Sequence, residues 1–165
     1  MKKILYWIPA VLMMGIIFAF SSKTADISGQ SSMTISKYIY SVYERITGGV
    51  KTEEEKLDAL ETLDHIVRKG AHITEFAMLA AALAWPLRKS GLKGYRLAVA
   101  SIGLAAIYAM TDEFHQTFVP GRSGELKDVG IDTVGALIGY SIFSLIRRIG
   151  KRIKKQAAIN VTLSE

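Results

Sequence analysis

The sequence predicts an all-α fold: a polytopic membrane helix bundle of four transmembrane helices, with outer amphipathic helices in the first connection. Three observations carry that expectation. Four long apolar blocks dominate the chain, at residues 4–20, 73–87, 95–110 and 129–146. Lysine and arginine crowd alternate connections between them. Tyrosine and tryptophan gather at one set of block ends. Apolar residues make up 50% of the 165, close to the globular average, so their distribution decides the class.

The first block is seventeen residues without a charge. The second is interrupted only by Thr74 and Glu75, the third carries Arg96 at its edge, and the fourth carries Asp132 near its start. At about 1.5 Å per residue each block reaches roughly 25 Å, and flanking residues extend it toward a hydrocarbon core of about 30 Å. A soluble helix keeps a polar face at 3.6-residue spacing. The stretch Ser101-Ile-Gly-Leu-Ala-Ala-Ile-Tyr-Ala-Met110 has none.

The charges give an orientation. Lys2 and Lys3 precede block one. Arg88, Lys89, Lys93 and Arg96 occupy the short connection after block two. Arg147, Arg148, Lys151, Arg152, Lys154 and Lys155 follow block four. These segments hold twelve of the 21 basic residues. The connection between blocks three and four holds only Arg122 and Lys127, and the long first connection dilutes seven bases among acids. The positive-inside rule then places both termini in the cytoplasm. Tyr6, Trp7, Trp85 and Tyr95 fall at the same inner interface, where amphipathic rings anchor. Residues 1–150 are expected to form one four-span membrane domain. Residues 151–165 are expected to form a basic cytoplasmic tail, which either lies against anionic headgroups or acts as a topology signal. Block one reads as an uncleaved anchor rather than a signal peptide, because Lys23 spoils a cut after Ala25.

In the first connection, Ile35, Ile39, Val42, Tyr43 and Ile46 share one helical stripe, flanked by Tyr38 and Tyr40. This is either an interfacial helix or a helix packed on the bundle. Gly48-Gly49 ends it. Thr52 with Glu55 forms a capping box for a second helix, with Leu57, Leu60, Leu63 and Val67 as its apolar stripe. Glu53, Glu54, Glu55, Asp58 and Glu61 form its solvated face.

Polar residues then stand where an apolar bundle does not need them. Block two opens with Lys69, His72 and Glu75, and Phe76 shares the face of Lys69 and His72. Block three leaves the membrane through Asp112, Glu113, His115 and Gln116. Val119-Pro-Gly-Arg122 follows, with Pro-Gly suited to the centre of a tight turn. Block four opens with Asp128, and Asp132 lies one turn deeper. The topology brings these ten ionisable or amide groups, Arg122 included, to the outer membrane face. Groups of this kind at membrane depth mark a site, or else a network that neutralises itself. Gly135 and Gly139 form a small-residue pair suited to close helix packing or to dimerisation, with Gly130 nearby.

The absence of cysteine excludes disulfides, thiolate metal sites and a cysteine nucleophile. There are only three histidines, His65, His72 and His115, so a three-histidine zinc site would need all of them. No H-E-x-x-H motif is present, and no metal is expected, although carboxylates with histidines can hold a divalent ion. Nucleic-acid binding is not expected, because topology accounts for the basic residues.

The string Asp112-Glu-Phe-His-Gln-Thr-Phe-Val-Pro-Gly-Arg122, followed by Asp128 and by Gly135-x-x-x-Gly139, resembles the signature of VanZ-like membrane proteins. Lys69-x-x-His72-x-x-Glu75-Phe76 is similar to that family's second-span motif. Phe20-Ser-Ser-Lys, with Ser28 and Ser32, resembles the serine-bearing exit of its first span. The resemblance runs from about residue 4 to 147. Asp132 stands where the family often has asparagine; a buried second carboxylate there is either a protonated donor or part of a cation site. The family's name member is associated with reduced susceptibility to teicoplanin, a glycopeptide acting at the outer surface and cell wall. The resemblance therefore implies a cell-envelope binding or accessory protein in the bilayer, with a lipid-linked cell-wall precursor or a glycopeptide as partner. Arg122 and Lys69 would engage an anionic group of that partner. The alternative is an intramembrane enzyme acting on a phospholipid or polyprenyl phosphate. There His72 or His115 would be acid or base, Glu113 its partner and Arg122 the phosphate clamp. A transporter is disfavoured by four short spans without a midplane charge pair. Glu75 and Asp132 are the only candidates for a proton path.

Overall fold

The computed structural model describes residues 4–48 and 52–163, with side chains described to residue 160. Lys2, Lys3 and Gly49 lie outside the described residues. Every regular element among those described is helical. A 3-10 turn, Ile4–Trp7, leads into α1, Ile8–Ser21. Then follow α2, Ala25–Thr47, and α3, Glu53–Lys89. The last two are α4, Gly94–Gln116, and α5, Leu126–Leu163.

Three helical stretches are long and apolar enough to cross a membrane: Ile4–Ser21, Gly94–Gln116 and Leu126–Asn160. They correspond to blocks one, three and four. Block two differs. It forms the C-terminal part of the 37-residue α3, downstream of a charged half, and is not long and apolar enough by the same measure. Its apolar residues serve the interior instead. Phe76, Leu79, Ala80 and Ala84 are completely buried, and Leu83 nearly so. α3 is the hub, touching α1, α2, α4 and α5.

The core is built from small residues around a few large ones. Ala10, Ile17, Ala105, Ala109 and Ala136 close on Phe76 and Leu79. Tyr108 ties α4 to α1 by donating to the Met14 carbonyl at 2.6 Å. The outer faces are apolar too. Val11, Leu12, Val99, Ile107 and Leu145 are all exposed, a surface suited to lipid rather than water.

α3 and α5 cross without side chains between them at two points. A Cβ on Gly135 would strike the Ile73 backbone, and one on Gly139 the Ala77 backbone. The glycine pair thus serves close packing inside the bundle. Gly130 has open space beside it.

α2 is capped by Thr24, whose Oγ1 accepts from the Ile27 amide, and it ends at Gly48 with φ +63°. Its stripe faces outward: Ile35, Ile39, Val42, Tyr43 and Ile46 are exposed, while Ser32, Ser36 and Tyr40 are buried. A helix that turns hydroxyls inward and isoleucines outward fits an interface with lipid. The Thr52–Glu55 capping box is present at the start of α3. Of the expected stripe, Leu60 is buried, Leu63 and Val67 are partly so, and Leu57 is 61% exposed. Asp64 takes an interior place instead, held by Arg68 at 3.1 Å. The two expected elements of this region, an outer helix and block two, are one uninterrupted α3.

α5 likewise continues through the basic tail to Leu163. At the opposite end from the polar cluster, Lys89 lies over the rings of Tyr6 and Trp85, at 5.3 and 5.7 Å from their centroids.

Candidate functional site

A cleft of about 520 Å³ opens between α2, the middle of α3, the end of α4 and the loop that follows it. Three local devices build its walls. The first is a face of α3: His65, Arg68, Lys69 and His72 recur at i, i+3, i+4 and i+7, so the helix presents them together. The second is the turn Val119-Pro120-Gly121-Arg122. The Arg122 amide donates to the Val119 carbonyl at 3.1 Å. Pro120 supplies the fixed φ at the second position, and Gly121, at φ +75°, supplies the left-handed third. The turn docks on α2, where the Ala25 amide donates to the Pro120 carbonyl at 3.2 Å. A Cβ on Gly121 would strike that of Ala25. The third device is Glu113. Its Oε2 accepts from the Glu125 amide at 2.9 Å, which fastens the loop to the end of α4.

Of the ten residues expected at the site, Lys69, His72, Glu75, Gln116, Arg122 and Asp128 line this cleft. Asp112, Glu113 and Asp132 lie beneath it, 3%, 5% and 1% exposed. His115 points elsewhere. It stacks on Phe18 with centroids 4.6 Å apart, and its Nε2 lies 3.1 Å from the Ser22 hydroxyl.

The buried layer is only partly satisfied. Asp112 Oδ2 accepts from the Ser21 hydroxyl at 2.7 Å and from the Gln116 amide at 3.1 Å. Asp112 Oδ1, Glu113 Oε1 and both Asp132 oxygens have no hydrogen-bond partner. His72 Nδ1 sits 3.7 Å from Asp132 Oδ1. Burial holds the His72 imidazole below its ordinary range, against the opposing charge of Asp112. Among the described residues no three His, Asp or Glu side chains are grouped to hold a metal ion.

The open layer carries Lys23, Arg68, Lys69 and Arg122 beside the carboxylates of Glu75, Glu125 and Asp128. Lys69 pairs with Asp128 and Arg68 with Asp64. Lys23 lies 4.8 Å from the Phe20 ring centroid. Arg122 is half-buried and makes no ion pair among the described residues. Burial lowers its pKa and Asp112 opposes the shift; a guanidinium stays cationic in either case.

Sequence reasoning missed Lys23, His65, Arg68, Ser31 and Glu125 as cleft residues. For His65 and Arg68 a signal existed, because both share the helical face of Lys69 and His72. Lys23, Ser31 and Glu125 arrive through the docking of α2 and the loop, which no local pattern announces.

A family model described as VanZ/LLP1 matches residues 6–147. No curated protein and no solved structure matches the chain.

Proposed function

The chain belongs to the VanZ/LLP1 family, and from that membership and the cleft we propose that it is a multi-pass cell-envelope protein that binds an anionic ligand at the outer membrane face. The ligand class is a lipid-linked cell-wall precursor or a glycopeptide such as teicoplanin. The observation that carries the reading is Arg122: half-buried, lining the cleft, without an ion pair among the described residues, on a turn anchored to α2 and followed by a loop fastened to α4. Such a guanidinium offers two parallel donors to a carboxylate or phosphate. Lys23, Arg68 and Lys69 add positive potential around it, and the exposed apolar stripe of α2 seats the cleft beside lipid.

The topology proposed with it has four crossings and both termini in the cytoplasm. Block two is the additional crossing. It relies on partner helices rather than on its own hydropathy, as an interior helix of a bundle does. The basic connection 88–96 and the tail 151–165 then lie on the inner side.

The test is the inhibitory concentration of teicoplanin for a susceptible Gram-positive host expressing the chain, with Arg122→Ala at matched membrane levels. Protection by the natural chain and its loss in the variant support the reading. Equal protection by both removes Arg122 from the site, and none by either removes the glycopeptide as ligand.

The enzymatic alternative draws on one contact, His72 Nδ1 facing Asp132 beneath the cleft. A carboxylate behind an imidazole is the arrangement of an oriented acid or base. It requires a chemically altered lipid as product and strict dependence on His72. Lipid analysis of cells expressing His72→Gln against the natural chain distinguishes the two readings.

A further inference from the structure

At the end of the molecule opposite the cleft, a second concavity of about 320 Å³ opens between the last turn of α3 and the middle of α5. Its lining separates by chemistry. Trp85, Phe143 and Ile146 form an apolar side; Arg88, Lys89 and Arg147 form a basic side. No acid lines it, and none of these three bases makes an ion pair among the described residues. The Arg147 Nε is shut off from solvent and has no hydrogen-bond partner. Trp85 is 51% and Ile146 65% exposed, so the apolar side is continuous with the outer face of the bundle.

Three cations at one helix junction repel one another, and a buried guanidinium nitrogen without an acceptor costs free energy. An anion among them relieves the repulsion and gives the Arg147 guanidinium an acceptor. The apolar wall says what kind of anion. A free phosphate would leave Trp85 and Phe143 uncovered, whereas a phosphodiester carrying acyl chains would cover them. We propose that this groove is a binding site for an anionic phospholipid. The headgroup phosphate sits between Arg88, Lys89 and Arg147, and an acyl chain lies along Trp85, Phe143 and Ile146. Basic pockets between membrane helices bind acidic lipids in this way. The long stems of Arg88 and Lys89 allow their charges to reach headgroup level from apolar surroundings. Lys89 is already held near that level by the Tyr6 and Trp85 rings. The site is remote from the outer cleft, shares no residue with it, and stands or falls independently of the ligand proposed there.

The experiment reconstitutes the full chain in nanodiscs of phosphatidylcholine doped with phosphatidylglycerol brominated on its acyl chains. Trp7→Phe leaves Trp85 as the sole tryptophan, since the chain has two. Brominated phosphatidylglycerol is expected to quench Trp85 at far lower mole fraction than brominated phosphatidylcholine. Arg88→Gln with Arg147→Gln is expected to weaken this preference by roughly 30-fold, from about 1 kcal/mol per charge. Lys154→Gln with Lys155→Gln, on the exposed tail, is expected to leave it unchanged. Equal quenching by the two lipids overturns the proposal, as does a tail variant as damaging as the groove variant. Because the groove variant risks misfolding, native mass spectrometry of the natural chain provides a second measure. A retained phosphatidylglycerol that inorganic phosphate does not displace is expected. Displacement by inorganic phosphate alone would show an anion site without a lipid wall and would also overturn it.

Discussion

Gly139 of α5 lies against the backbone of Ala77 on α3 so closely that a Cβ has no room there. Together with Gly135 against Ile73, one turn away, it fixes how near the two helices approach. A valine at Gly139 must push α5 off α3, the hub of the core. Over-packing of this kind costs about 1–3 kcal/mol. Gly139→Val is expected to lower the thermal midpoint in detergent and to widen the core around Phe76. Gly130→Ala, where a Cβ meets nothing, is expected to be neutral or to gain up to about 1 kcal/mol from helix propensity. A Gly139→Val protein as stable as the natural one would remove the close crossing from the account.

The loop after α4 depends on Glu113. Its carboxylate holds the Glu125 amide at 2.9 Å. Glu113→Ala is expected to free the loop at a cost of about 1–3 kcal/mol, seen as faster amide exchange at Glu125 and faster tryptic cutting after Arg122 and Lys127. Glu113→Gln keeps an acceptor in place and is expected to protect the loop nearly as well. If the two variants exchange alike, the carbonyl contact is not what holds it.

Burial holds His72 below its ordinary value of 6.5, so the unfolded chain binds that proton more readily than the folded one. The contribution of His72 to stability is therefore intact above that value and is lost as pH falls from there through the lower native one. Asp112 and Asp128 oppose the shift, and Arg122 and Lys69 reinforce it. Thermal midpoints of the natural chain are expected to fall between about pH 7.5 and pH 5.5 more steeply than those of His72→Gln. Parallel curves would show that this imidazole titrates alike folded and unfolded.

The natural chain has no cysteine, so single cysteines report topology directly. With the proposed orientation, Glu61→Cys on the charged half of α3 is expected to react with an impermeant maleimide in intact cells. Ser90→Cys, at the C-cap of α3, is expected to react only after permeabilisation. The reverse pattern inverts the topology, and reaction of both in intact cells removes the block-two crossing.

Much of this architecture was legible in the sequence because its signals are local. The capping box at Thr52, the glycine stop at Gly48, the Pro120-Gly121 turn and the Gly135-Gly139 pair each act over a few residues. What was not legible depended on packing. The halves of α3 read as two elements because one apolar stripe gives way, after the polar stretch 68–72, to a block interrupted only by Thr74 and Glu75, yet no helix stop separates them. The burial of Ser32 and Ser36 and the exposure of Ile35 and Ile39 depend on α3 lying beneath α2. His115 shares a motif with Asp112 and Glu113, but its place in the helical turn sends it to Phe18. Of the ten residues singled out, the cleft gathers six, and three more support it from below. What they bind is a property of the ligand, and no spacing of side chains encodes it alone.

The uninterrupted α3 sets a height. Its 37 residues make a rod of about 55 Å, against a hydrocarbon layer of about 30 Å. From Lys89 at one end to His72 is about 25 Å along the axis. If α3 crosses as proposed, with its basic end at one headgroup layer, His72, Lys69 and Arg68 stand at the other, and the charged half of the rod rises clear of it. That crossing would set the mouth of the cleft level with lipid phosphates. A molecule tethered in the bilayer by a hydrocarbon tail would then meet it sideways, with its head already at the right altitude and its tail never leaving the oil. A water-borne molecule would have to come down to the same level from outside.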